Sequence, residues 1–212
     1  MPERDGYIPG VPCWVDTNQP DPDAALPFYG GLFGWEFEDM MPAGSPGKYF
    51  IARIRGGDVA AVSSPPEGAP PGAMWNTYVW VASADQTAAK VPGAGGKVVQ
   101  PPFDVMDAGR MAVLADPEGA VFSVWEARGH KGAKIVNEHG ALNFNGLATR
   151  DPEAAKAFYG TVSIAAKARQ LGGQVVSGPF DAPWTRMAVI KDPQGATFIA
   201  SQFVPENKDL GA

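Results

Sequence analysis

The chain has 212 residues, of which 45% are hydrophobic and 10% aromatic, so it can bury a core and is unlike a disordered protein. Its net charge of −6 argues against nucleic acid or an anionic membrane as the main partner, because both require clusters of Lys and Arg. The single cysteine excludes an internal disulfide bond. Together with the lack of a signal-peptide pattern and of any apolar run of transmembrane length, it predicts a cytoplasmic protein.

The first predicted elements are a strand at CWVDT (13–17), which is rich in β-favouring residues, and a helix that follows it. Asp21 can cap this helix with its side chain, and Pro22 in the first turn has no N–H group to leave unsatisfied. Four apolar residues then recur at helical spacing and are expected to face a sheet: Ala25, Phe28, Tyr29 and Leu32.

Short strands separated by Gly- and Pro-rich turns are predicted next, at WEFEDM, KYFIARI and DVAAVSS. The Pro-rich stretch at 65–73 reads as a connector, followed by a strand at 76–82 and a helix at 83–92. KVVQ, RMAVLA and AVFSVWEA are the closing strands. This order, β-α-β-β-β twice within residues 10–127, indicates an α+β fold with mixed sheets and not a doubly wound parallel sheet.

Parts of this pattern occur a second time. Residues 172–196 nearly copy residues 95–120, and residues 151–160 nearly copy 21–31, which indicates two homologous units in tandem. The offset between the copies falls from 130 to 77 residues, so the second copy is 53 residues shorter. Either the second unit is abbreviated or a segment of the parent protein is missing from the sequence. The predicted organisation is an arm at 1–9, a first domain at 10–127, a linker at 128–140, an incomplete second domain at 141–203 and a tail at 204–212.

The motif DPxxAxxFYxxLFGW at 21–35, the GGxVxxxPFD segment and RMAVxxDPxGAxF resemble the vicinal-oxygen-chelate superfamily, which includes glyoxalase I, bleomycin-resistance proteins and extradiol dioxygenases. More narrowly, the chain is similar to the two-domain glyoxalase-like branch often labelled hydroxylase. The resemblance implies that βαβββ modules form cup-shaped mixed β-sheets around a small molecule. It also implies a possible homodimer, since members often pair modules between subunits.

Metal-using members of the superfamily carry four ligands on the cup strands, and the resemblance places these positions at Trp14, near Val62, near Asn76 and at Glu126. Phe144 stands at the second unit's equivalent of Trp14, and Gln202 at that of Glu126. Because one carboxylate cannot supply the converging donors that a divalent ion needs, neither a family-type metal nor another cofactor is expected.

Glu126, the donor that keeps a family ligand position, is the candidate catalytic acid or base, and Arg110 is the candidate for stabilising an oxyanion. The alternative is a structural ion pair between the two. The candidate substrate-binding residues would line the cup, although their rings could equally form ordinary core: Trp14, Asn76, Tyr78, Trp80 and Gln202.

The remaining chemically capable side chains suggest no site. His130 and His139 lie in the polar linker without a third partner at ligand spacing and are expected to be exposed. Cys13 is expected to be buried and structural, because no activating group is apparent near it in the sequence.

Three functions remain open. The first is binding of a small aromatic or apolar molecule without metal, possibly by a tailoring enzyme. The second is a metal-dependent glyoxalase-type lyase or dioxygenase. The third is non-catalytic sequestration of an antibiotic or metabolite.

Overall fold

The computed structural model describes residues 3–69, 72–143, 145–162, 174–182, 185–191 and 197–203. The chain divides into two compact units, Met1–Ala155 and Lys156–Ala212.

The helices and strands of the first unit follow the predicted order closely. The strands are β1 (Pro12–Asn18), β2 (Glu36–Asp39), β3 (Tyr49–Ile54), β4 (Gly57–Ser63), β5 (Met74–Trp80), β6 (Lys97–Val105), β7 (Gly109–Ala115) and β8 (Val121–Ala127). The helices are α1 (Pro22–Phe33) and α2 (Ala84–Lys90), and α3 (Pro152–Val162) spans the boundary between the units. Among the described residues, no helix has the length and apolar character needed to cross a membrane.

The eight strands form one open sheet in the order β2-β3-β4-β1-β5-β8-β7-β6. β1 pairs with β4 and β5 pairs with β8 in parallel, whereas the other neighbours are antiparallel. The α+β class with mixed sheets predicted from the sequence is therefore confirmed. β1 and β5 lie at the centre of the sheet, so side chains on these two strands are shielded by strands on both sides.

Helix α1 begins as predicted, but only part of its predicted apolar face is turned to the sheet. The Asp21 side chain accepts a hydrogen bond of 3.0 Å from the Ala24 amide, which is the predicted cap. Phe28 and Leu32, expected to face the sheet, are instead 62% and 54% exposed. Tyr29 stacks against Trp35 with ring centroids 5.7 Å apart, and this aromatic contact fixes which stripe of the helix is turned inward.

The predicted linker packs against the first unit. The Ala133 amide donates to the Cys13 carbonyl at 2.8 Å, and the Lys134 amide donates to the Asp58 carbonyl at 2.8 Å. Ile135 is buried in the apolar cluster beneath α1. The described residues of 141–150 contain no strand, only an isolated bridge between Val136 and Leu142, so the strand predicted to open the second unit is not formed there.

The second unit contains three antiparallel strands, β9 (Gln174–Ala182), β10 (Thr185–Lys191) and β11 (Thr197–Phe203), in the order β11-β10-β9. These are the three strands that the sequence repeat predicts. Most of the second helical piece predicted between α3 and β9 lies outside the described residues.

Candidate functional site

The centre of the first-unit sheet carries polar side chains on one face. In the antiparallel pairing of β1 with β5, Trp14 lies opposite Tyr78 and Asp16 lies opposite Asn76. Because side chains alternate along a strand, these four residues share one side of the sheet, which we call the Asp16 face.

Asp16 is the buried acid of this face. Its carboxyl group belongs to a residue that is 2% exposed. Asp16 Oδ1 accepts a hydrogen bond of 2.8 Å from Asn76 Nδ2, and Oδ2 accepts from the hydroxyls of Tyr78 at 2.8 Å and Tyr49 at 3.3 Å. Burial raises the pKa of Asp16 above its usual value, and the hydrogen bonds from Asn76, Tyr78 and Tyr49 oppose this rise without cancelling it.

The hydrogen bonds continue beyond Asp16 and fix the orientation of each group. Asn76 Nδ2 also donates to Asn18 Oδ1 at 2.7 Å, and Asn18 Nδ2 donates to Ser63 Oγ at 2.8 Å. The Trp14 indole donates to the Tyr49 hydroxyl at 3.0 Å. Since both neighbours of Asn76 Nδ2 are acceptors, the carboxamide can have only this orientation. We call Asp16, Asn18, Tyr49, Asn76 and Tyr78 the Asp16 cluster.

The two phenols of the Asp16 cluster stay protonated. Burial raises the pKa of both Tyr49 and Tyr78 well above the ordinary value, and the negative charge of Asp16 raises each further. Each hydroxyl therefore keeps its single hydrogen, which is directed at Asp16.

The aromatic residues predicted to line a cup differ in exposure. Trp14 is 3% exposed and packs in one apolar cluster with Trp125, which is 5% exposed. Asn76, Tyr78 and Trp80 are partly exposed. The structure thus places Trp14 within the core, as the alternative interpretation allowed, while the other three keep surface accessible to a ligand.

His130 is not the exposed linker residue that the sequence suggested. Its ring lies edge-on to Trp14, with centroids 4.5 Å apart, and contacts Trp125 at 5.9 Å. Its Nε2 is buried and has no hydrogen-bond partner in the described part of the chain. Burial lowers the pKa of His130 below its ordinary value. Tertiary packing decided this placement, because the polar segment around His130 carries no periodic pattern.

Cys13 is fully buried, as expected, and its thiol donates to the Tyr78 carbonyl at 3.4 Å. Burial raises the pKa of the thiol to about 12. A thiol in this state is not a nucleophile at neutral pH.

Glu126 and Arg110 lie opposite each other on β8 and β7. Glu126 follows Trp125 directly and so points to the other side of the sheet, where its Oε2 accepts a hydrogen bond of 2.9 Å from the Ala84 amide at the start of α2. Arg110 donates to Asp85 at 2.7 and 3.0 Å and to Asp104 at 3.1 Å. Their catalytic roles stay predictions, and the structure does not bring either residue to the Asp16 face.

Two other predicted positions can be placed only through the backbone. Val62 lies in register with Thr17 and therefore on the side opposite Asp16. Gln202 lies in β11 opposite Arg186. Phe144 lies outside the described residues.

Sequence reasoning missed Asp16. The signal was present, because an acid two residues after Trp14 in a predicted strand must share the face of Trp14, and acids are rarely buried unless paired. The family ligand positions fall on other residues, Trp14 in the case of β1, and therefore do not include Asp16.

Residues 14–124 match the glyoxalase/bleomycin resistance protein/dioxygenase superfamily. The chain belongs to this superfamily. It is 36% identical to a putative glyoxylase of Mycobacterium bovis, CFP32, over an alignment that covers 97% of this chain and all of the relative. It is 30% identical to the anthracycline biosynthesis protein DauV of a Streptomyces species, covering 91% of this chain and 93% of the relative.

The alignment with the mycobacterial relative extends over 260 positions, whereas this chain has 212 residues, so the relative carries residues that this chain lacks. Among solved structures, the Mn(II)-bound glyoxalase of Novosphingobium aromaticivorans aligns with 91% of this chain and 82% of its own length, at 16% identity and a TM-score of 0.45.

The donor set of the first unit does not fit a family-type metal. Within the described residues, no three His, Cys, Asp or Glu side chains lie together as a possible ligand group. The oxygens of Asp16 face hydrogen-bond donors from Asn76, Tyr78 and Tyr49. A divalent cation instead requires several converging lone pairs, which these donors do not offer.

Proposed function

We propose that the first unit of this glyoxalase-superfamily protein binds a small aromatic or apolar molecule against the Asp16 face without a family-type metal. The observation that carries the proposal is the Asp16 cluster itself. It is a fixed set of hydrogen bonds around a carboxyl group with 2% exposure, and it adjoins the partly exposed aromatic residues Tyr78 and Trp80. Small-molecule sites combine apolar and aromatic surface with a few fixed polar groups in this way.

The comparisons are compatible with this ligand class. A relative with 30% identity is named an anthracycline biosynthesis protein, and another with 36% identity is named a putative glyoxylase. Both names describe proteins that act on or supply small molecules. The name glyoxylase also fits the metal-dependent lyase, but the described donor groups of the first unit do not favour a family-type metal.

For an enzyme that turns over its ligand, Asp16 is the residue of this face suited to proton transfer. Burial raises its pKa above the ordinary value, which favours the protonated acid more than in an exposed aspartate. When Asp16 is protonated, Tyr78 can accept that proton over the 2.8 Å between them and pass its own hydrogen to a ligand. Glu126 remains the competing candidate from the sequence.

A binding measurement on the metal-stripped protein tests the proposal. The full chain is dialysed against EDTA, its metal content is measured by elemental analysis, and it is titrated with 2-naphthol by calorimetry. We expect one saturable site per chain, with equal affinity before and after the EDTA treatment. Absence of saturable binding, or binding that returns only when a divalent ion is added, contradicts the proposal.

Matched variants assign the site. Asp16→Asn replaces one carboxylate oxygen with an NH2 group, which faces either the Asn76 donor or the two tyrosine hydroxyls, so we expect 2-naphthol affinity to fall at least tenfold. Asp85→Asn makes the same chemical change at an exposed acid paired with Arg110, and affinity should stay unchanged. Glu126→Gln tests the sequence-based candidate, and with Asp16 as the acting group it should also leave affinity unchanged.

A further inference from the structure

The hydrogen bonds of Asn76 leave one polar atom of its side chain for a ligand, the acceptor oxygen Oδ1. Asn76 donates both of its amide hydrogens, one to Asp16 and one to Asn18. Its Oδ1 accepts no hydrogen bond from another described residue. Asn76 is partly exposed, and among the described residues His130 Nε2 is the one fully buried side-chain atom without a partner, so the Asn76 oxygen is not fully buried.

Tyr78 presents the same polarity. Its hydroxyl carries a single hydrogen, which is donated to Asp16 Oδ2 at 2.8 Å. Towards a ligand the Tyr78 oxygen can therefore only accept. The Tyr49 hydroxyl is less available to a ligand, because it donates to Asp16 and already accepts a hydrogen bond from the Trp14 indole.

The direction of these bonds is set by the cluster as a whole. Asp16 is acceptor-only when ionised, so each neighbour must turn a hydrogen towards it. The Asn18 amide nitrogen donates a hydrogen bond to Ser63, which keeps the Asn18 oxygen facing Asn76. The Tyr78 hydroxyl can donate its hydrogen to a ligand only when Asp16 itself carries a proton.

We infer, on the basis of the function proposed above, that the ligand presents a neutral hydrogen-bond donor on its aromatic or apolar body to Asn76 Oδ1 and the Tyr78 oxygen. A hydroxyl shares its one hydrogen between the two oxygens, whereas an amino group can give one hydrogen to each. Ligands whose polar groups only accept gain no bond at this place. Carboxylate ligands are disfavoured more strongly, because they meet two acceptor oxygens in front of the buried charge of Asp16.

Three naphthalene probes of similar size separate the possibilities. 2-Naphthol carries a donor, 2-methoxynaphthalene carries an acceptor only, and 2-naphthoate carries an anionic carboxylate. Titrations use the EDTA-treated full chain at about pH 8, where a phenol keeps its proton. We expect 2-naphthol to bind about tenfold more tightly than 2-methoxynaphthalene, the ratio that one hydrogen bond gives, and 2-naphthoate to bind the weakest of the three.

The outcomes distinguish this inference from the function on which it rests. If 2-methoxynaphthalene or 2-naphthoate binds as tightly as 2-naphthol, the protein binds aromatic molecules but the inferred donor requirement is wrong. If none of the three binds, the proposed function fails and the inference fails with it.

A variant pair adds a second, independent readout. Tyr78→Phe removes one acceptor oxygen, so the preference for 2-naphthol over 2-methoxynaphthalene, measured as the ratio of their affinities, should shrink several-fold. Tyr29→Phe, in helix α1 on the opposite side of the sheet, should keep the full preference. An unchanged preference in Tyr78→Phe contradicts the inference. If Tyr78→Phe does not fold, the comparison of the three probes on the unaltered chain still decides the question.

Discussion

The strands β6–β7–β8 of the first unit and β9–β10–β11 of the second have the same register. Asp104 lies opposite Arg110 and Arg110 opposite Glu126 in the first. The equivalent pairs in the second are Asp181 with Arg186 and Arg186 with Gln202. The repeated sequence thus encodes the same three-stranded ladder twice, through local pairing and tight turns.

The two ladders differ in what they are attached to. In the first unit, β8 pairs in parallel with β5, and β5 pairs with β1, the strand that carries Asp16. In the second unit, β10 is the one described partner of β11. Gly146 stands where the repeat places the equivalent of Asp16, so this unit cannot build the Asp16 cluster from its own sequence. The ladder is a local property of the repeat, whereas the candidate site depends on β1 and β5, which have no counterpart among the described strands of the second unit.

One register position shows how the first ladder is adapted to the site. Trp125 in β8 lies opposite Met111 in β7. At the equivalent position of the second ladder, Ser201 in β11 lies opposite Met187 in β10. A Cβ atom at Gly109 would come within 2.5 Å of the Trp125 ring, so the indole needs a glycine beside it. The second unit has Thr185 at the position of Gly109. The pairing of glycine with tryptophan is therefore specific to the unit that carries the Asp16 face.

The largest expected effect on stability comes from replacing Trp125 with serine, the residue at the equivalent position of the second unit. Trp125→Ser removes a ring that is 5% exposed and leaves a cavity beside Trp14, so the free energy of unfolding should fall by about 3–5 kcal/mol. Urea unfolding followed by circular dichroism measures the change. Trp75→Ser is the matched control, since Trp75 is 49% exposed, and it should cost much less. Equal losses in the two variants would mean that the first ladder does not depend on Trp125.

A smaller effect is expected when the Asp16 cluster loses one donor. Tyr78→Phe removes a hydrogen bond to a buried carboxylate, which should lower the free energy of unfolding by about 2 kcal/mol. Tyr29→Phe serves as control and should change stability by much less. A Tyr78→Phe protein as stable as the parent would show that the cluster contributes nothing to the fold of the first unit.

The unpaired nitrogen of His130 leads to a prediction of opposite sign. Replacing His130 with Phe keeps a ring against Trp14 and removes a buried polar atom without a partner, so stability at neutral pH should rise by about 1 kcal/mol. Thermal unfolding at neutral pH measures the gain, and a loss of stability would show that the nitrogen has a partner in solution.

The same substitution should also change the pH dependence of stability. Burial lowers the pKa of His130 in the folded state, while nearby Asp58 raises it and Lys134 lowers it further. The unfolded chain therefore takes up the proton first, and stability should fall as pH drops below 6.5, the ordinary value for histidine. His130→Phe should remove this part of the decline, and an unchanged slope between pH 7 and pH 5 would contradict the assignment.

The smallest effect is expected at the ion pairs that both ladders can form. Arg110 holds the pKa of Asp85 and of Asp104 below the ordinary 3.8, so its contribution is present above that pH and is lost as pH falls through the lowered values. Arg110→Gln should lower the Tm slightly at low ionic strength and not at all at about 1 M salt, where exposed charges are screened. A large loss that persists in salt would indicate a role beyond these pairs.

The sequence was sufficient for the elements whose signals are local. The Asp21 cap, the strand order of the first unit and the duplicated ladder all follow from spacing, turn residues and repetition. The inward face of α1 was not predictable, because Phe28 and Tyr29 both lie on apolar stripes and only the contact with Trp35 selects between them. The packing of residues 128–140 was missed for a similar reason, since its hydrogen bonds go to Cys13 and Asp58, far away in the chain.

The candidate site was predicted in part. Asn76 and Tyr78 were placed on the correct strand, yet Asp16 was overlooked and Glu126 was favoured because it occupies a family ligand position. The superfamily's metal-ligand pattern assigns one position to each strand and therefore gives no information about the neighbouring residues. The register of β1 against β5, which brings Asp16 to Asn76, becomes visible only when the strands are paired.

The location of a bound probe tests the central claim most directly. Two-dimensional NMR of the 15N-labelled full chain during titration with 2-naphthol should show the largest shifts at the amides of Asp16, Tyr49, Asn76 and Tyr78 and at the Trp14 indole. Shifts confined to the exposed residues Phe28 and Leu32 of α1, or to the strands of the second unit, would contradict a ligand site on the Asp16 face.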